Sequence, residues 1–380
     1  MKSVMLPPVV IFSDLLPPKR GGLADHTAAL ALQLEQVGHA VTVISSIGVG
    51  GNAPYTVRPV MDDWRDVALL AAELTAVPSD AILIWQYVPH MYGHGGVNSQ
   101  LPSFMGWLKR LGRRQVVITH EIAADYSWHP GRFWYAWNHR RQWKKILRFA
   151  DVIPISTSRW VEDWSARRPD AAKKFFTLAS PSSIPRDPTL TAEDRIRWRR
   201  EHRLPENAKI ITYFGTFSPA KGIPWAIDGW RYSLRSNQPV AFVLIGSAPE
   251  IPLASDLRAL YRPLGYVKPQ EVSRALNAAD VMALPYTDGF SERRTTLMAA
   301  LDHGVAVATT TGHNTGSTLQ KAEWVAHMPV ADRNGYIRLM QELVHMDEKR
   351  RTIAAAGKAH HDREFSWPVV VQKLRDRLTA

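Results

Sequence analysis

The sequence predicts an α/β protein in which two doubly wound parallel sheets form separate domains of similar size. Short, continuously apolar runs alternate with segments of helical periodicity along almost the whole chain. Continuous apolar strands separated by helices are typical of parallel βαβ units, whose sheets are covered on both faces. With 380 residues the chain is long enough for about two such domains.

The first series of strands and helices occupies the first half of the chain. A helix is predicted after the first strand, because Leu23, Thr27, Leu30, Leu34 and Val37 recur at helical spacing. The predicted strands of this half are "VVIF" (9–12), "VTVI" (41–44), "AILIW" (81–85), "VVIT" (116–119) and "VIPI" (152–155).

A Pro- and Ser-rich segment at 180–194 interrupts this pattern and predicts a domain boundary near residue 186. A second series follows, and the chain ends in helical segments. Ligands of such sheets bind beyond the carboxyl ends of the strands, so residues there are the first candidates for a site. The predicted strands of this half are "IITYF" (210–214), "AFVLIG" (241–246), "VMALP" (281–285) and "VAVAT" (305–309).

The composition is basic, with 47 Lys and Arg against 35 Asp and Glu, a net charge of +12. Such a charge favours nucleic acid, an anionic membrane surface or an acidic substrate as partner, beside a plain surface excess. No recognised nucleic-acid module occurs, so we expect no nucleic-acid partner. The absence of cysteine excludes disulfides and thiolate metal sites. No secretion signal or membrane-spanning apolar run is visible, and we expect a cytoplasmic chain.

Two glycines, Gly21 and Gly22, lie between the first strand and its helix, directly after Lys19 and Arg20. The N-terminus of a helix favours an anion, and glycine lets a ligand approach the backbone closely. An ordinary βα turn is the alternative. Neither a dinucleotide fingerprint nor a P-loop motif occurs at this position.

Two further strand ends carry candidate residues. His120 and Glu121 directly follow the strand at 116–119. A histidine there can exchange a proton or bind a hydroxyl, although a structural role is also open. Lys221, in the loop "GTFSPAKG" after the first strand of the second half, could reach a phosphate; a solvated lysine is the alternative.

Arg293 and Arg294 follow the strand "VMALP", and Thr295 and Thr296 begin the next helix. Two guanidinium groups, two hydroxyls and a helix N-terminus are suited to a diphosphate. No run of carboxylates lies beside the arginines in the sequence, so we expect an external anion as their partner. The alternative is a pair of exposed arginines, one of them paired with Glu292.

The sequence offers no metal-binding motif, since neither D-x-D nor H-E-x-x-H occurs. His360 and His361 lie in a polar helical tail, where we expect them to be exposed. We therefore expect no metal and no other cofactor. Fixed cations, namely Lys221, Arg293 and Arg294, would stabilise a departing diphosphate instead.

The segment "GRFWYAWNHRRQWKKILRFAD" (131–151) interleaves aromatic and basic residues at helical spacing. Such a helix could lie on an anionic bilayer surface or meet a lipid-phosphate substrate. The alternative is an amphipathic helix that packs on its own sheet and leaves a basic face solvated. In that case its apolar face would be formed by Phe133, Trp137, Ile146 and Phe149.

Taken in order, these segments resemble the retaining glycosyltransferases of family four, which have the GT-B fold. The resemblance spans nearly the whole chain. Its segments are "GGLADHTAALALQLEQVGHAVTVIS", "ITYFGTFSPAKG", "LGYVKPQEVSRALNAADVMALPYTDGFSE", "ALDHGVAVATTTG" and "FSWPVVVQKL".

The resemblance implies two Rossmann-like domains that face a central cleft. Residues 1–185 would bind the acceptor, residues 186–365 a UDP- or GDP-linked sugar, and the helix at 366–380 would cross back to the first domain. It implies a metal-independent hexosyltransferase that works with retention. From the basic helix predicted at 131–151 we further expect a lipid-linked or polysaccharide-related acceptor and peripheral contact with the inner face of the membrane. A catalytically inactive binding or partner protein of the same fold is the alternative.

The resemblance also implies roles for single residues. The catalytic candidates are His120, Lys221, Arg293 and Arg294. The donor-binding candidates are Gly21, Gly22, Thr216, Val267, Asp288, Gly289, Phe290, Thr295 and Thr296. The acceptor-side candidates are Lys19, Arg20 and Glu121.

Two positions depart from the family pattern. Thr216 stands where the family has an arginine in the donor loop. Of the family's paired glutamates, Asp288 replaces the first and Ala299 the second, which normally binds the ribose hydroxyls. We expect Arg293 and Arg294 to supply the charge that Thr216 does not.

Overall fold

The computed structural model describes residues 6–19, 21–50, 52–124, 126–216, 218, 221–236, 238–247, 251 and 253–379. The described chain divides into two compact units. The first comprises Met1–Ser156, Trp160–Ala179 and Val370–Ala380, and the second comprises Thr157–Arg159 and Ser180–Val369. The main division therefore falls at Ser180, six residues before the boundary predicted from the linker, and the chain's last residues belong to the first unit.

The first unit contains a seven-stranded parallel sheet with the order β3-β2-β1-β4-β5-β6-β7. Its strands are β1 Val9–Ser13, β2 Val41–Ser46, β3 Thr56–Met61, β4 Ile82–Tyr87, β5 Gln115–Thr119, β6 Ile153–Ile155 and β7 Phe175–Thr177. Its helices are α1 Gly22–Gln36, α2 Val67–Glu73, α3 Gln100–Arg110, α4 Pro130–Phe149 and α5 Ser158–Arg167, with 3₁₀ turns at Leu74–Ala76, His94–Gly96 and Pro169–Lys174.

The second unit contains a six-stranded parallel sheet with the order β10-β9-β8-β11-β12-β13. Its strands are β8 Lys209–Phe214, β9 Val240–Ile245, β10 Tyr261–Gly265, β11 Val281–Leu284, β12 Ala306–Thr311 and β13 Ala326–Pro329. Its helices are α6 Ala192–Glu201, α7 Ile223–Ser233, α8 Pro269–Ala278, α9 Thr295–Asp302, α10 Arg333–His345, α11 Asp347–Glu364 and α12 Trp367–Thr379, of which α12 ends in the first unit; 3₁₀ turns lie at Ser255–Leu260 and Leu319–Lys321.

The predicted fold class is confirmed, and the strands that the sequence pattern missed are the edge strands. Every interior strand of both sheets coincides with a predicted apolar run, whereas β3, β7, β10 and β13 were not predicted. An edge strand pairs on one side only, so it needs no continuous apolar run and tolerates proline. The sequences "TVRPVM" of β3 and "YRPLG" of β10 each contain an arginine and a proline.

A buried ion cluster ties α6 to the second sheet. The Asp280 carboxylate, with only 8% of its side chain exposed, precedes β11 and accepts from Arg195 at 2.6 Å and Arg199 at 3.1 Å. The Ile210 N–H also donates to it at 2.8 Å. This carboxylate therefore compensates the buried Arg199 guanidinium, which would otherwise be costly to desolvate.

We expect Asp280→Asn to destabilise the second unit by about 3–5 kcal/mol, because it leaves the Arg199 charge buried without its carboxylate. Calorimetric unfolding measures the loss. Glu342→Gln is the matched control, since Glu342 pairs with Lys349 at the surface of the same unit. Equal losses in both variants would contradict the assignment.

Candidate functional site

The start of α1 is an open helix N-terminus at the carboxyl end of β1. Gly21 is its N-cap with φ +147°, a conformation that favours glycine. A Cβ added at Gly21 or Gly22 would meet no heavy atom within 4 Å among the described residues. The space before these glycines is therefore free, as an anion or sugar approaching the helix dipole requires.

His120 lies at the carboxyl end of β5, beside the first turns of α1. Its ring contacts the ring of His26 edge to face, with centroids 4.7 Å apart. Its Nε2 lies 2.6 Å from Gln86 Oε1, and its N–H donates to the Tyr87 carbonyl at 3.0 Å. Because an amide oxygen only accepts, this contact places a proton on Nε2 and leaves Nδ1 of a neutral ring as an acceptor.

Both histidines are held neutral by their surroundings. Burial lowers the pKa of His26 from 6.5 to about 4. Burial, with the neighbouring His26, also lowers the pKa of His120 well below its usual value. A neutral His120 is suited to accept a hydrogen bond from a hydroxyl, and less suited to donate a proton at neutral pH.

The acceptor-side candidates lie at the surface where the structure describes them. Lys19 and Glu121 are both exposed. Arg20 lies outside the described residues. His26 lies one helical turn after Gly22 and its ring contacts His120. The structure therefore places His120 near the start of α1.

In the second unit the arginine pair has a carboxylate partner, contrary to the expectation from sequence. Asp288 Oδ1 accepts from Arg294 Nη2, and Asp288 Oδ2 lies 3.7 Å from Arg293 Nη2. Asn314 Nδ2 also donates to Asp288 Oδ2 at 2.9 Å. Glu292, the partner named in the alternative, is buried and accepts the Ser158 N–H at 3.2 Å.

Lys221 adds a third cationic side chain beside the arginines. Burial and the charge of Arg294 together lower the pKa of Lys221. The group therefore combines Lys221, Arg293 and Arg294 with the Asp288 carboxylate, which pairs with the two arginines. We call these three cations and Asp288 the cation cluster.

Contacts with Tyr286, Thr216 and two glycines position Arg294 and Lys221. The Arg294 guanidinium carbon lies 4.3 Å from the centroid of the buried Tyr286 ring. Lys221 Nζ lies 3.3 Å from Thr216 Oγ1 and would be 2.6 Å from a Cβ at Gly215. Gly222 has φ +54°, and a Cβ there would come within 2.1 Å of the Pro285 carbonyl. Glycine at both positions therefore lets the lysine loop lie against the end of β11.

Some donor-binding candidates have structural surroundings instead. Phe290 is fully buried against Trp324 and His327, and its N–H donates to the Thr310 carbonyl, so its side chain belongs to the core. Gly289 has φ +90°, and a Cβ there would lie 2.3 Å from Thr315 Oγ1.

Other candidates lie beside the cluster or apart from it. The Thr296 hydroxyl bonds the Tyr286 hydroxyl at 2.7 Å, and Thr295 is half-buried at the first position of α9. Val267 is half-buried in the loop between β10 and α8. Ala299, which replaces the family's second glutamate, is fully buried in α9 and offers no polar group.

Sequence reasoning missed His26, Gln86, Tyr286 and Asn314. His26 could have been found from its spacing of four from Gly22, which places both on one side of α1. Tyr286 directly follows "VMALP" and so stands at a strand end. Gln86 and Asn314 carry no comparable signal, because only the fold places them beside His120 and Asp288.

The tail histidines were predicted to be exposed, and this is wrong. His361 is buried, and the His360 ring stacks on Trp324 at 4.3 Å. Asp302, His361 and Asp362 hold possible ligand atoms within 4.8 Å of one another. The half-buried Lys358 already pairs with the exposed Asp362 carboxylate.

Helix α4 and the loop before it expose a group of aromatic side chains. Tyr126, Trp128, Phe133, Trp134 and Trp137, here called the aromatic surface, are between 41% and 104% exposed. Ile146 is buried as an inward-facing position should be, but Phe133 and Trp137 are not. The arrangement therefore departs from a helix that packs all its apolar residues on its own sheet.

Basic side chains accompany the aromatic surface. The Arg140 guanidinium lies 3.9 Å from the Tyr126 ring centroid, and that of Arg141 lies 4.3 Å from the Trp137 ring. Within the described residues, no helix combines the length and apolar character needed to cross a membrane.

Because His26 and His120 are neutral in the folded chain, we predict that acid destabilises the first unit. Because folding depresses their pKa values, the unfolded chain binds protons more readily between pH 6.5 and about 4. The contribution of these neutral histidines to the free energy of unfolding is therefore present above pH 6.5 and is lost as the pH falls. For His26 alone, lowering the pH from 6.5 to 5 should remove about 2 kcal/mol.

Calorimetry at pH 7 and pH 5 tests this linkage. We expect His26→Gln to show a smaller fall in Tm than the wild type, whereas His129→Gln, at an exposed histidine of the same unit, should keep the wild-type fall. A wild-type fall that persists in His26→Gln would exclude His26 as its source.

Comparisons with known proteins find similarity to glycosyltransferases. Residues 208–345 match the family model described as glycosyl transferases group 1. A GDP-mannose-dependent monoacylated alpha-(1-6)-phosphatidylinositol monomannoside mannosyltransferase of Corynebacterium glutamicum is 23% identical over 302 residues, 75% of each chain.

Solved structures with the same fold include two glycosyltransferase-related examples. WaaG, a glycosyltransferase involved in lipopolysaccharide biosynthesis, superposes with a TM-score of 0.64 at 16% identity, covering 98% of this chain and 100% of WaaG. Anabaena HepE, in complex with UDP and glucose, superposes with a TM-score of 0.67 at 14% identity, covering 98% and 100%. The chain therefore has the GT-B fold and is an enzyme, a glycosyltransferase with a nucleotide-sugar donor, and its residues 208–345 are similar to the group 1 glycosyl transferases.

Proposed function

We propose that the enzyme transfers a hexose, with retention, from a UDP- or GDP-linked sugar to a hydroxyl of a lipid-linked acceptor. The observation that carries the proposal is the cation cluster, in which Lys221 and Arg294 lie close enough for the charge of one to lower the pKa of the other, as a site for a diphosphate leaving group requires. The mannosyltransferase of C. glutamicum acts on a phosphatidylinositol mannoside, and WaaG acts in lipopolysaccharide biosynthesis.

The second unit would supply leaving-group stabilisation. The bond between the anomeric carbon and the diphosphate oxygen breaks, and its electron pair goes to the diphosphate. The acceptor oxygen attacks the same face, and its proton passes to the departing oxygen. Lys221 and Arg294 stabilise the charge that develops, while Asp288 holds the guanidinium groups rather than binding sugar hydroxyls.

The first unit would supply hydroxyl recognition. His120 Nδ1 accepts a hydroxyl hydrogen bond, because Gln86 fixes the proton on Nε2. The open start of α1 offers backbone N–H groups at Gly22 and beyond to a polar ligand. Since side-chain cations carry the leaving-group charge, no metal cofactor is part of this proposal, and transfer should persist in excess EDTA.

Arg294→Ala should weaken binding of the donor about ten- to hundredfold, because it removes a charge-assisted contact to the diphosphate. Calorimetric titration with GDP-mannose and with UDP-glucose measures the effect and identifies the base. Transfer by the wild type, followed by NMR of the product anomer, tests retention.

Arg235→Ala is the matched control for this experiment, since the Arg235 guanidinium also lies over a tyrosine ring, at 4.6 Å from Tyr232, but is exposed. Equal affinity losses in both variants would exclude the cation cluster as the diphosphate site. A product of inverted configuration would exclude retention.

The aromatic surface would place the first unit against the bilayer that carries the acceptor. Tryptophan and tyrosine partition into membrane interfaces, and neighbouring arginines are attracted to anionic lipids. Trp128, whose side chain is fully exposed, is the most accessible member.

We expect Trp128→Ala together with Trp134→Ala to reduce cosedimentation with vesicles of phosphatidylglycerol by several-fold, because both substitutions remove interfacial area. Tyr266→Ala, at an exposed aromatic residue of the second unit, is the control and should bind vesicles as the wild type does. Undiminished binding of the double variant would refute a membrane role of this surface.

A further inference from the structure

We propose that a basic cavity in the first unit binds a phosphate-bearing anion other than the sugar donor. The cavity has a volume of about 630 Å³ and lies among the ends of α3 and α4 and the beginnings of β5 and β6. That volume is within the usual range for small-molecule sites. Its charged lining consists of Lys109, Arg113, Arg114, Lys173, Lys174 and Arg377, with Asp151 as the single carboxylate.

The basic cavity is separate from the residues assigned to transfer. It borders the start of β5, whereas His120 follows the end of the same strand. The five residues of β5 span about 13 Å at the usual rise of a parallel strand. A ligand in the cavity is therefore at the opposite end of β5 from His120.

Contacts within the protein compensate only part of the cavity's charge. Lys109 pairs with Asp151, and Lys174 donates to the carbonyls of Leu147 at 2.9 Å and Ala150 at 2.7 Å, at the end of α4. Arg114 donates to the Arg377 carbonyl at 2.9 Å. Carbonyls satisfy hydrogen bonds but carry no net charge. The lining itself has six cations and one carboxylate, and Asp80 and Asp170 act on Arg113 and Lys174 from outside it.

Arg113 is the strongest indication of a missing anion. It is 8% exposed, and its Nε and Nη2 find no hydrogen-bond acceptor in the part of the chain that the structure describes. Its Nη1 reaches only the Val77 carbonyl, at 3.4 Å. A buried guanidinium with unmet donors is costly, and a phosphate provides both the charge and the acceptors that it lacks.

Helix dipoles account for part of this charge but not for all of it. Lys174 stabilises the carboxyl end of α4, as a cation there commonly does. Arg113 has only the long contact to the Val77 carbonyl, which leaves its Nε and Nη2 without an acceptor among the described residues. Burial is the main cause that lowers the pKa of Lys174; the charges of Lys109 and Lys173 lower it further, while those of Asp151 and Asp170 act in the opposite direction.

Calorimetric titration with inorganic pyrophosphate tests the cavity. The full-length wild type should bind at two sites, and Arg294→Ala, which impairs the cation cluster, should retain one. In that background we expect Arg113→Met to weaken the remaining site about tenfold or more and Lys173→Gln about threefold. Lys173 is exposed, so its variant keeps the test valid if Arg113→Met does not fold.

Arg110→Gln is the matched control, because Arg110 is exposed on α3 beside Lys109 but does not line the cavity. It should leave both sites unchanged. Absence of pyrophosphate binding in Arg294→Ala, or equal binding by the Arg113, Lys173 and Arg110 variants, would overturn the proposal.

A second arm distinguishes a free phosphate compound from a lipid headgroup. Cosedimentation with phosphatidylinositol vesicles is measured in the Trp128→Ala background, with and without Lys173→Gln. The cavity is a headgroup site if Lys173→Gln reduces vesicle binding further and if added pyrophosphate reduces vesicle binding of the protein that keeps Lys173. Pyrophosphate binding without any such loss identifies a free ligand. Failure in both arms refutes the cavity as a phosphate site.

Discussion

The ion pair between Arg294 and Asp288 is the interaction on which the candidate donor site depends. It holds one guanidinium over the Tyr286 ring and brings the second, on Arg293, toward the same carboxylate. A single carboxylate can keep cations in place without neutralising them all. Lys221 adds a further cation, whose pKa burial and the Arg294 charge lower. Preorganised charge of this kind is an effective way to stabilise a leaving diphosphate.

The first unit uses the opposite electrostatic arrangement. Its central side chain, His120, is kept neutral by burial and by a second histidine, and its one hydrogen-bonded neighbour fixes the tautomer. A neutral acceptor suits a hydroxyl, whereas a charged cluster suits a phosphate. The two units thus provide different chemistry from equivalent places, the carboxyl ends of parallel strands.

The basic residues of the chain form separate groups on the structure. Part of it accompanies the aromatic surface, where Arg140 and Arg141 lie over aromatic rings. Another part lines the basic cavity, at the start of β5. A third part forms the cation cluster. Each group has a different degree of burial and therefore a different suitability for lipid surfaces, bound phosphate or a departing diphosphate.

By itself the sequence determined the fold class and the interior strands of both sheets, because a strand buried on both faces must be apolar throughout. It also pointed to Lys221, Arg293 and Arg294, since the residues after such strands lie at the ligand-binding edge. Edge strands such as β3 and β10 escaped prediction, because one-sided pairing tolerates polar residues and proline.

Only the tertiary structure decided which groups pair. Asp288 was a donor-binding candidate from its place in a motif, and the structure shows that it pairs with the arginines. His26 and Gln86 contact His120 from other elements. The unmet donors of Arg113 are likewise invisible in the sequence. The physical reason is that hydrophobic burial follows a local, periodic pattern, whereas the compensation of a charge depends on the distances that packing sets between remote residues.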